Sequence, residues 1–153
     1  MEPRLNFFQV APKAREAMLE MQKYVDSCGL DHRLMELVKM RASQINECAF
    51  CLDMHGKRAR ELGETEQRLY TLNAWRETPF FDERERAALE WAEALTLVAE
   101  SHVPDEVYAK VAPHFTPEEL ANLTLAITTI NAWNRICVAF RAVPGSYTRS
   151  GQQ

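Results

Sequence analysis

Four residues carry types and spacing that could do chemistry: Glu36, Cys48, Cys51 and His55. Two cysteines at i and i+3, with a histidine four residues beyond the second, share one face of a helix. At about 100° per residue, Cys48 sits at 0°, Cys51 near about −60° and His55 near about −20°. The imidazole then lies one turn from Cys51, where it can take or give a thiol proton. That closeness matters because the thiolate, not the thiol, is the nucleophile. A free thiol with a pKa of about 8.5 is only ~3% ionised at pH 7, and lowering the pKa by about two units gains roughly 25-fold in thiolate. A helix N-terminus and a nearby imidazolium are the two usual sources of such a shift. Position relative to the helix end favours Cys48 as the nucleophile.

The carboxylate needs a turn. In one straight helix Glu36 stands about 18 Å from Cys48, too far to act. If the chain turns near Glu47, two antiparallel helices set Glu36 roughly level with residue 58, about one turn from His55. A carboxylate there can orient the imidazole and hold it charged, directly or through one water. Read alone, Glu36 is a surface carboxylate paired with Lys39 or Arg41.

The spacing Glu-x11-Cys-x2-Cys-x3-His resembles the signature of the AhpD-like alkylhydroperoxidases, within the carboxymuconolactone decarboxylase-like family. It reads here as Glu36, Cys48, Cys51 and His55 without insertion. The resemblance extends into the helical second half and Asn131-Ala132-Trp133-Asn134-Arg135. One residue departs from it: the best-known AhpD enzymes have His just before the second cysteine, and this chain has Phe50, which removes one proton carrier. The resemblance implies that Cys51 attacks the O–O bond of an organic hydroperoxide and becomes a sulfenic acid. It implies that Cys48 then condenses with it to a disulfide, with His55 and Glu36 as proton relay. It also implies a dithiol reductant, a lipoyl protein or a thioredoxin-like partner, and a trimer or hexamer of the chain. No haem, flavin or metal is required. A general thiol–disulfide oxidoreductase would use the same residues on a different electrophile. A third reading is a zinc-binding helical module, with Cys48, Cys51 and His55 as ligands and Glu36 or a second subunit as the fourth.

Elements must position these side chains. The 153 residues fit one domain, and 46% hydrophobic with 26% charged residues is ordinary for a globular protein. Five glycines are few for a turn-rich β fold, and no segment alternates strictly, so no strand is expected. The net charge of −4 without a basic cluster argues against nucleic acid as partner. No run is long and apolar enough to span a membrane, and Met1-Glu2-Pro3-Arg4 lacks a signal pattern, so the expected compartment is the cytosol. There a Cys-x2-Cys pair is redox-active or metal-binding more often than a structural disulfide.

The chain therefore reads as an all-α, single compact domain of six to seven helices over 1–145, with a polar, mobile tail at 146–153. Residues 1–11 read as extended. Pro12 opens a helix closed by Gly29. Asp31 caps the next, with Leu34, Leu37, Val38 and Ile45 apolar and Glu36, Lys39 and Ser43 on another flank. Asn46 or Glu47 caps the cysteine helix, which runs to about Leu62. Gly56 inside it suggests close approach of another backbone. Thr65 caps a short helix through Trp75. Asp82 and Glu85 form a capping box ahead of an apolar stripe ending near Ser101. Pro104 opens a short helix, and Thr116-Pro117-Glu118-Glu119 starts the longest one, reaching about Ala142. Cys28 and Cys137 read as core residues. Asn131, Trp133, Asn134 and Arg135 read as helix–helix hydrogen-bonding groups or a subunit contact, with lining of the thiol pocket as the alternative.

Overall fold

The computed structural model describes residues 1–147. Among them the fold is all-α: nine α-helices and two 3-10 segments. In order they are α1 (Phe7–Val10), α2 (Pro12–Ser27), α3 (His32–Ile45), α4 (Ala49–Glu61) and α5 (Glu66–Thr71), then a 3-10 segment Leu72–Glu77. There follow α6 (Glu83–Thr96), α7 (Val98–Ser101), α8 (Asp105–Val111), a 3-10 segment Ala112–His114 and α9 (Pro117–Phe140). The count exceeds the expected six to seven through two single turns, α1 and α7. Residues 1–11 are not simply extended: Asn6 caps α1 by accepting from the Gln9 amide, and Phe7 and Phe8 stack on Phe140 and Trp133 of α9. The ring contacts join residues far apart in sequence, and no local periodicity announces them. The stripe toward Ser101 breaks at Leu97, and Ser101 Oγ donates to the Ala94 carbonyl. Of the expected tail, 148–153 lie outside the described residues. The Tyr147 ring lies over the Arg58 guanidinium, and its hydroxyl accepts from Arg58 Nε at 3.0 Å.

The helix starts follow their capping chemistry. Asp31, Thr65, Asp82 and Thr116 each accept a hydrogen bond from the third residue beyond, and Asp82–Glu85 and Thr116–Glu119 close full capping boxes. Gly29, at φ 88°, ends α2 in the left-handed region that a glycine enters without strain.

Helix α3 is the centre of the molecule. Leu34, Met35 and Val38 enter one apolar cluster with Trp91 and Ala92 of α6 and Leu123 and Ile127 of α9. Leu37 and Met40 enter a second with Ala59 of α4, Leu72, Trp75 and Leu89. Fully burying side chains of this size contributes about 1.5–3 kcal/mol each. A third side of α3 carries Glu36, Lys39 and Ser43, all buried and all polar.

A polar seam ties the α3–α4 turn to α9. Asn46 Nδ2 donates to Asn131 Oδ1 and Asn134 Oδ1, both at 2.9 Å. Asn134 Nδ2 donates to Ser43 Oγ at 3.0 Å, and Asn131 Nδ2 to Thr96 Oγ1 at 3.1 Å. Trp133 Nε1 donates to Gln22 of α2 at 3.1 Å. Buried amides satisfied this fully fix one register between helices. The helix–helix reading therefore describes Asn131, Trp133 and Asn134, whereas Arg135 bonds within α9, donating to the Asn131 carbonyl and Oδ1.

Candidate active site

The chain turns where the sequence required it. Asn46 ends α3, Glu47 takes φ 54°, and α4 begins at Ala49. The Cys48 amide donates to the Ser43 carbonyl at 3.0 Å, closing the corner. Neither Asn46 nor Glu47 caps α4. The Asn46 side chain is spent on α9 and Glu47 makes the turn, so Cys48 itself is the N-cap, at φ −85° and ψ 92°. Cys48 is thus outside the helix and Cys51 is its third residue. An N-cap side chain reaches toward that third position by ordinary geometry. Here the two sulfurs are joined as a disulfide, with Cα atoms 5.4 Å apart, inside the usual range for such a bond. Both cysteines stand at the positive end of the α4 dipole, which favours their thiolate forms when reduced.

Glu36 and His55 meet. The His55 Nδ1–Glu36 Oε2 distance is 2.7 Å, and Lys39 Nζ donates to Glu36 Oε1 at 3.1 Å. Lys39 Nζ also lies 3.4 Å from Asp26 Oδ1. The carboxylate thus bridges Lys39, its neighbour on α3, and the histidine across the turn. Glu36, Lys39 and His55 are 5%, 4% and 3% exposed, so these contacts are made away from water.

Burial alone would raise the Glu36 pKa. Hydrogen bonds from His55 and Lys39, with the Lys39 charge, outweigh that and lower it to about 2. For His55 burial is the largest influence and lowers its pKa, against the pull of Glu36. The carboxylate is therefore ionised and the imidazole neutral at pH 7. This differs from the expected imidazolium: desolvation of the ring exceeds the attraction of one carboxylate already shared with Lys39. With Nδ1–H donating to Glu36, the lone pair sits on Nε2 and can accept a proton. His55 lies one turn along α4 from Cys51, a spacing that sets Cβ atoms about 5–6 Å apart.

Gly56 follows His55, but no backbone crowds it. A Cβ there would meet only Met40 Cε, at 3.9 Å, an ordinary contact. The expected close approach is absent because the facing residue is a long, flexible methionine. The cations after His55 are all engaged: Lys57 pairs with Asp53, Arg58 binds Tyr147 and Arg60 pairs with Glu66.

Cys137 is not a plain core residue. It is half-buried on α9, and its sulfur lies with those of Cys48 and Cys51 in a group whose members are all within 4.8 Å of one another. Asn134, one turn earlier on α9 and bonded to Ser43 and Asn46, sets this approach. The three sulfurs are the only set of metal-ligating side chains grouped this closely among the described residues. The set of the zinc reading is not assembled: Cys48 and Cys51 are bonded to each other, and the ligating atom grouped with their sulfurs is that of Cys137, not of His55. Sequence spacing could not reveal Cys137, because the contact depends on how α9 docks. Cys28 lies apart, its thiol against the Val25 carbonyl.

Cys48 and Cys51 are each 1% exposed. An open cleft of about 700 Å³, lined by Arg41, Gln44, Glu47, Ala49, Leu52, Tyr70 and Asn73, reaches the first turn of α4 through Glu47 and Ala49. No helix among the described residues is long and apolar enough to cross a membrane.

The sequence profile of the carboxymuconolactone decarboxylase family matches residues 12–94. The uncharacterized protein YdfG of Bacillus subtilis is 45% identical over 139 residues, covering 91% of this chain and 95% of YdfG. A crystal structure of an Agrobacterium tumefaciens protein of unknown function, named as a candidate antioxidant defence protein AhpD, superposes with a TM-score of 0.92. It is 43% identical, over 95% of this chain and 100% of that one. An uncharacterized peroxidase-related protein from Silicibacter shares the fold, at a TM-score of 0.78 and 23% identity over 88% of this chain and 72% of that one.

Proposed function

The chain belongs to the carboxymuconolactone decarboxylase family and is AhpD-like, and on that premise we propose that it is a thiol-dependent peroxidase acting on organic hydroperoxides. One observation carries the reading: the 2.7 Å contact between Glu36 and His55, one helical turn from a Cys48–Cys51 pair at the head of α4.

Each step balances. His55 Nε2 takes the Cys51 proton, and Glu36 stabilises the imidazolium that forms. The Cys51 thiolate attacks the hydroperoxide oxygen distal to carbon. The O–O bond breaks, the alkoxide leaves with the proton from His55, and Cys51 becomes a sulfenic acid. The Cys48 thiol attacks that sulfur, water leaves and the disulfide forms. A dithiol reductant, of lipoyl or thioredoxin-like kind, then reduces the disulfide and is itself oxidised. No haem, flavin or metal enters these steps. Because the sulfurs are buried, the first turn of α4 must loosen to admit peroxide beside the Glu47–Ala49 cleft. We also propose assembly of several copies as a trimer or hexamer. Phe8, Val10, Tyr24 and Val138 are about half exposed and support it.

The test is hydroperoxide consumption by the reduced protein with a dithiol, alongside dimedone trapping of sulfenic acid. In Cys48→Ser the trapped adduct should sit on Cys51. Consumption no faster than with the dithiol alone, together with prompt reduction of a disulfide substrate, would replace this reading by the thiol–disulfide oxidoreductase.

A further inference from the structure

We propose that Cys137 is a third member of the redox site: its thiolate attacks the Cys48–Cys51 disulfide and carries the bond to the half-buried end of α9, where a reductant opens it. The proposal rests on the redox reading of the Cys48–Cys51 pair and extends it to a residue outside the Glu36, Cys48, Cys51, His55 set.

The geometry supplies the reason. The disulfide to be reduced is nearly sealed, with each cysteine 1% exposed. A protein reductant must bring its own sulfur in line with one of those two, which α3, α4 and α9 enclose. The Cys137 sulfur is already within 4.8 Å of both. It is held on the last turns of α9, where Val138 beside it is 50% exposed. A change of χ1 rotamer moves a cysteine sulfur by about 3 Å, roughly the gap between that separation and a bonded S–S. One neighbouring thiol thus touches the closed pair on one side and the surface on the other.

The exchange needs no outside oxidant. The Cys137 thiolate forms a bond to the sulfur of Cys48 or Cys51, the original bond breaks, and the displaced cysteine leaves as a thiolate. A reductant thiolate next attacks the Cys137 sulfur and expels the second cysteine of the pair. The reductant's other thiol then attacks the reductant sulfur of this mixed disulfide, closing the reductant's own disulfide, and Cys137 leaves and takes up the proton as a thiol. Two electrons pass from reductant to pair, and three thiols remain. Burial raises the Cys137 pKa to about 11. A thiol so raised is a poor leaving group, whereas Cys48 and Cys51 stand at the positive end of α4, which directs the second attack to expel Cys48 or Cys51. The raised pKa also makes the first attack slow at neutral pH, and faster by about tenfold per pH unit as the thiolate fraction grows.

The experiment uses the full-length chain, oxidised with diamide and freed of reagent. Iodoacetamide is added at pH 7, 8 and 9, and labelled and disulfide-linked peptides are mapped by mass spectrometry after acid quenching. Exchange predicts alkylated Cys48 or Cys51 with Cys137 in the remaining disulfide, formed about 100-fold faster at pH 9 than at pH 7. The product should vanish in Cys137→Ser and in Cys137→Ala. Independently, diamide treatment of Cys48→Ser should give an intramolecular Cys51–Cys137 bond, and Cys51→Ser a Cys48–Cys137 bond. Label confined to Cys28 and Cys137 at every pH, or only intermolecular dimers from the two single variants, overturns the proposal. No peroxide is used, so an inert response to hydroperoxide sinks the peroxidase while leaving this exchange standing.

Discussion

Two sides of α3 solve opposite problems. Leu34, Val38, Leu37 and Met40 face two apolar clusters, where each contact is replaceable by another of similar volume. Glu36 and Ser43 meet α4 and α9 through His55 and Asn134, and Lys39 between them binds Glu36 and Asp26 of α2, so each buried polar group has its own partner. The apolar sides contribute stability through area. The polar side contributes less and costs more when disturbed, because breaking a buried ion pair costs about 3–5 kcal/mol. A helix that only needed to pack would not carry a carboxylate and an ammonium there. On the proposed function that polar face serves the chemistry of the corner where α4 begins at its two cysteines.

Substitutions can break that contrast, and the largest effect is chemical. Cys51→Ser should abolish hydroperoxide reduction and leave the unfolding midpoint of the reduced protein nearly unchanged, as urea melts read by circular dichroism would show. Leu123→Ala, in the apolar cluster, should do the reverse. It is expected to cost about 2–5 kcal/mol of stability while the rate per folded molecule holds. A Leu123→Ala protein that is stable but inactive would dissolve the distinction between the two sides.

Glu36→Gln cuts across both. Its carbonyl can still accept from His55 Nδ1, so the neutral tautomer survives, but the charge that stabilises an imidazolium is gone, and Lys39 keeps only Asp26. Peroxide reduction should fall by about 10²-fold. Stability should fall by about 3 kcal/mol. Rates and urea melts on one preparation would separate the two losses.

The smallest effect is the pH dependence of stability. Both folded pKa values are lowered, Glu36 to about 2 and His55 below its ordinary 6.5. Below about 6.5 the unfolded chain binds the histidine proton and the folded chain does not. Stability from this group is therefore present above 6.5 and declines as pH falls. Below 4.5 the Glu36 contribution is lost in turn, toward about 2. Urea melts at pH 8, 6 and 5 should show a steady decline that is absent in His55→Ala. Flat stability across that range would contradict a buried neutral imidazole.

Much of this was legible in the sequence, for stated reasons. The capping signals at Asp31, Asp82 and Thr116 are local, so they placed helix starts well. The Glu36–His55 meeting was legible because helical rise and one turn near Glu47 leave little freedom between them. Cys48 as N-cap was not, since the Asn46 side chain was claimed by α9, a partner remote in sequence. The neutral state of His55 was hidden for the same reason: spacing gives partners but not burial. The place of Cys137 depends on how α9 docks, and α1 joins its local Asn6 cap to ring contacts on α9, which no periodicity within either segment encodes.

The account stands on a neutral, carboxylate-anchored imidazole drawing the proton from Cys51. Stopped-flow mixing of the reduced protein with tert-butyl hydroperoxide at pH 7, following formation of the Cys48–Cys51 bond, tests it directly in wild type and His55→Ala. Wild type should form the bond about 10²- to 10⁴-fold faster than the variant, and the gap should narrow as pH approaches that of free thiol ionisation. Equal rates at pH 7, with the variant folded, would remove His55 and Glu36 from the chemistry.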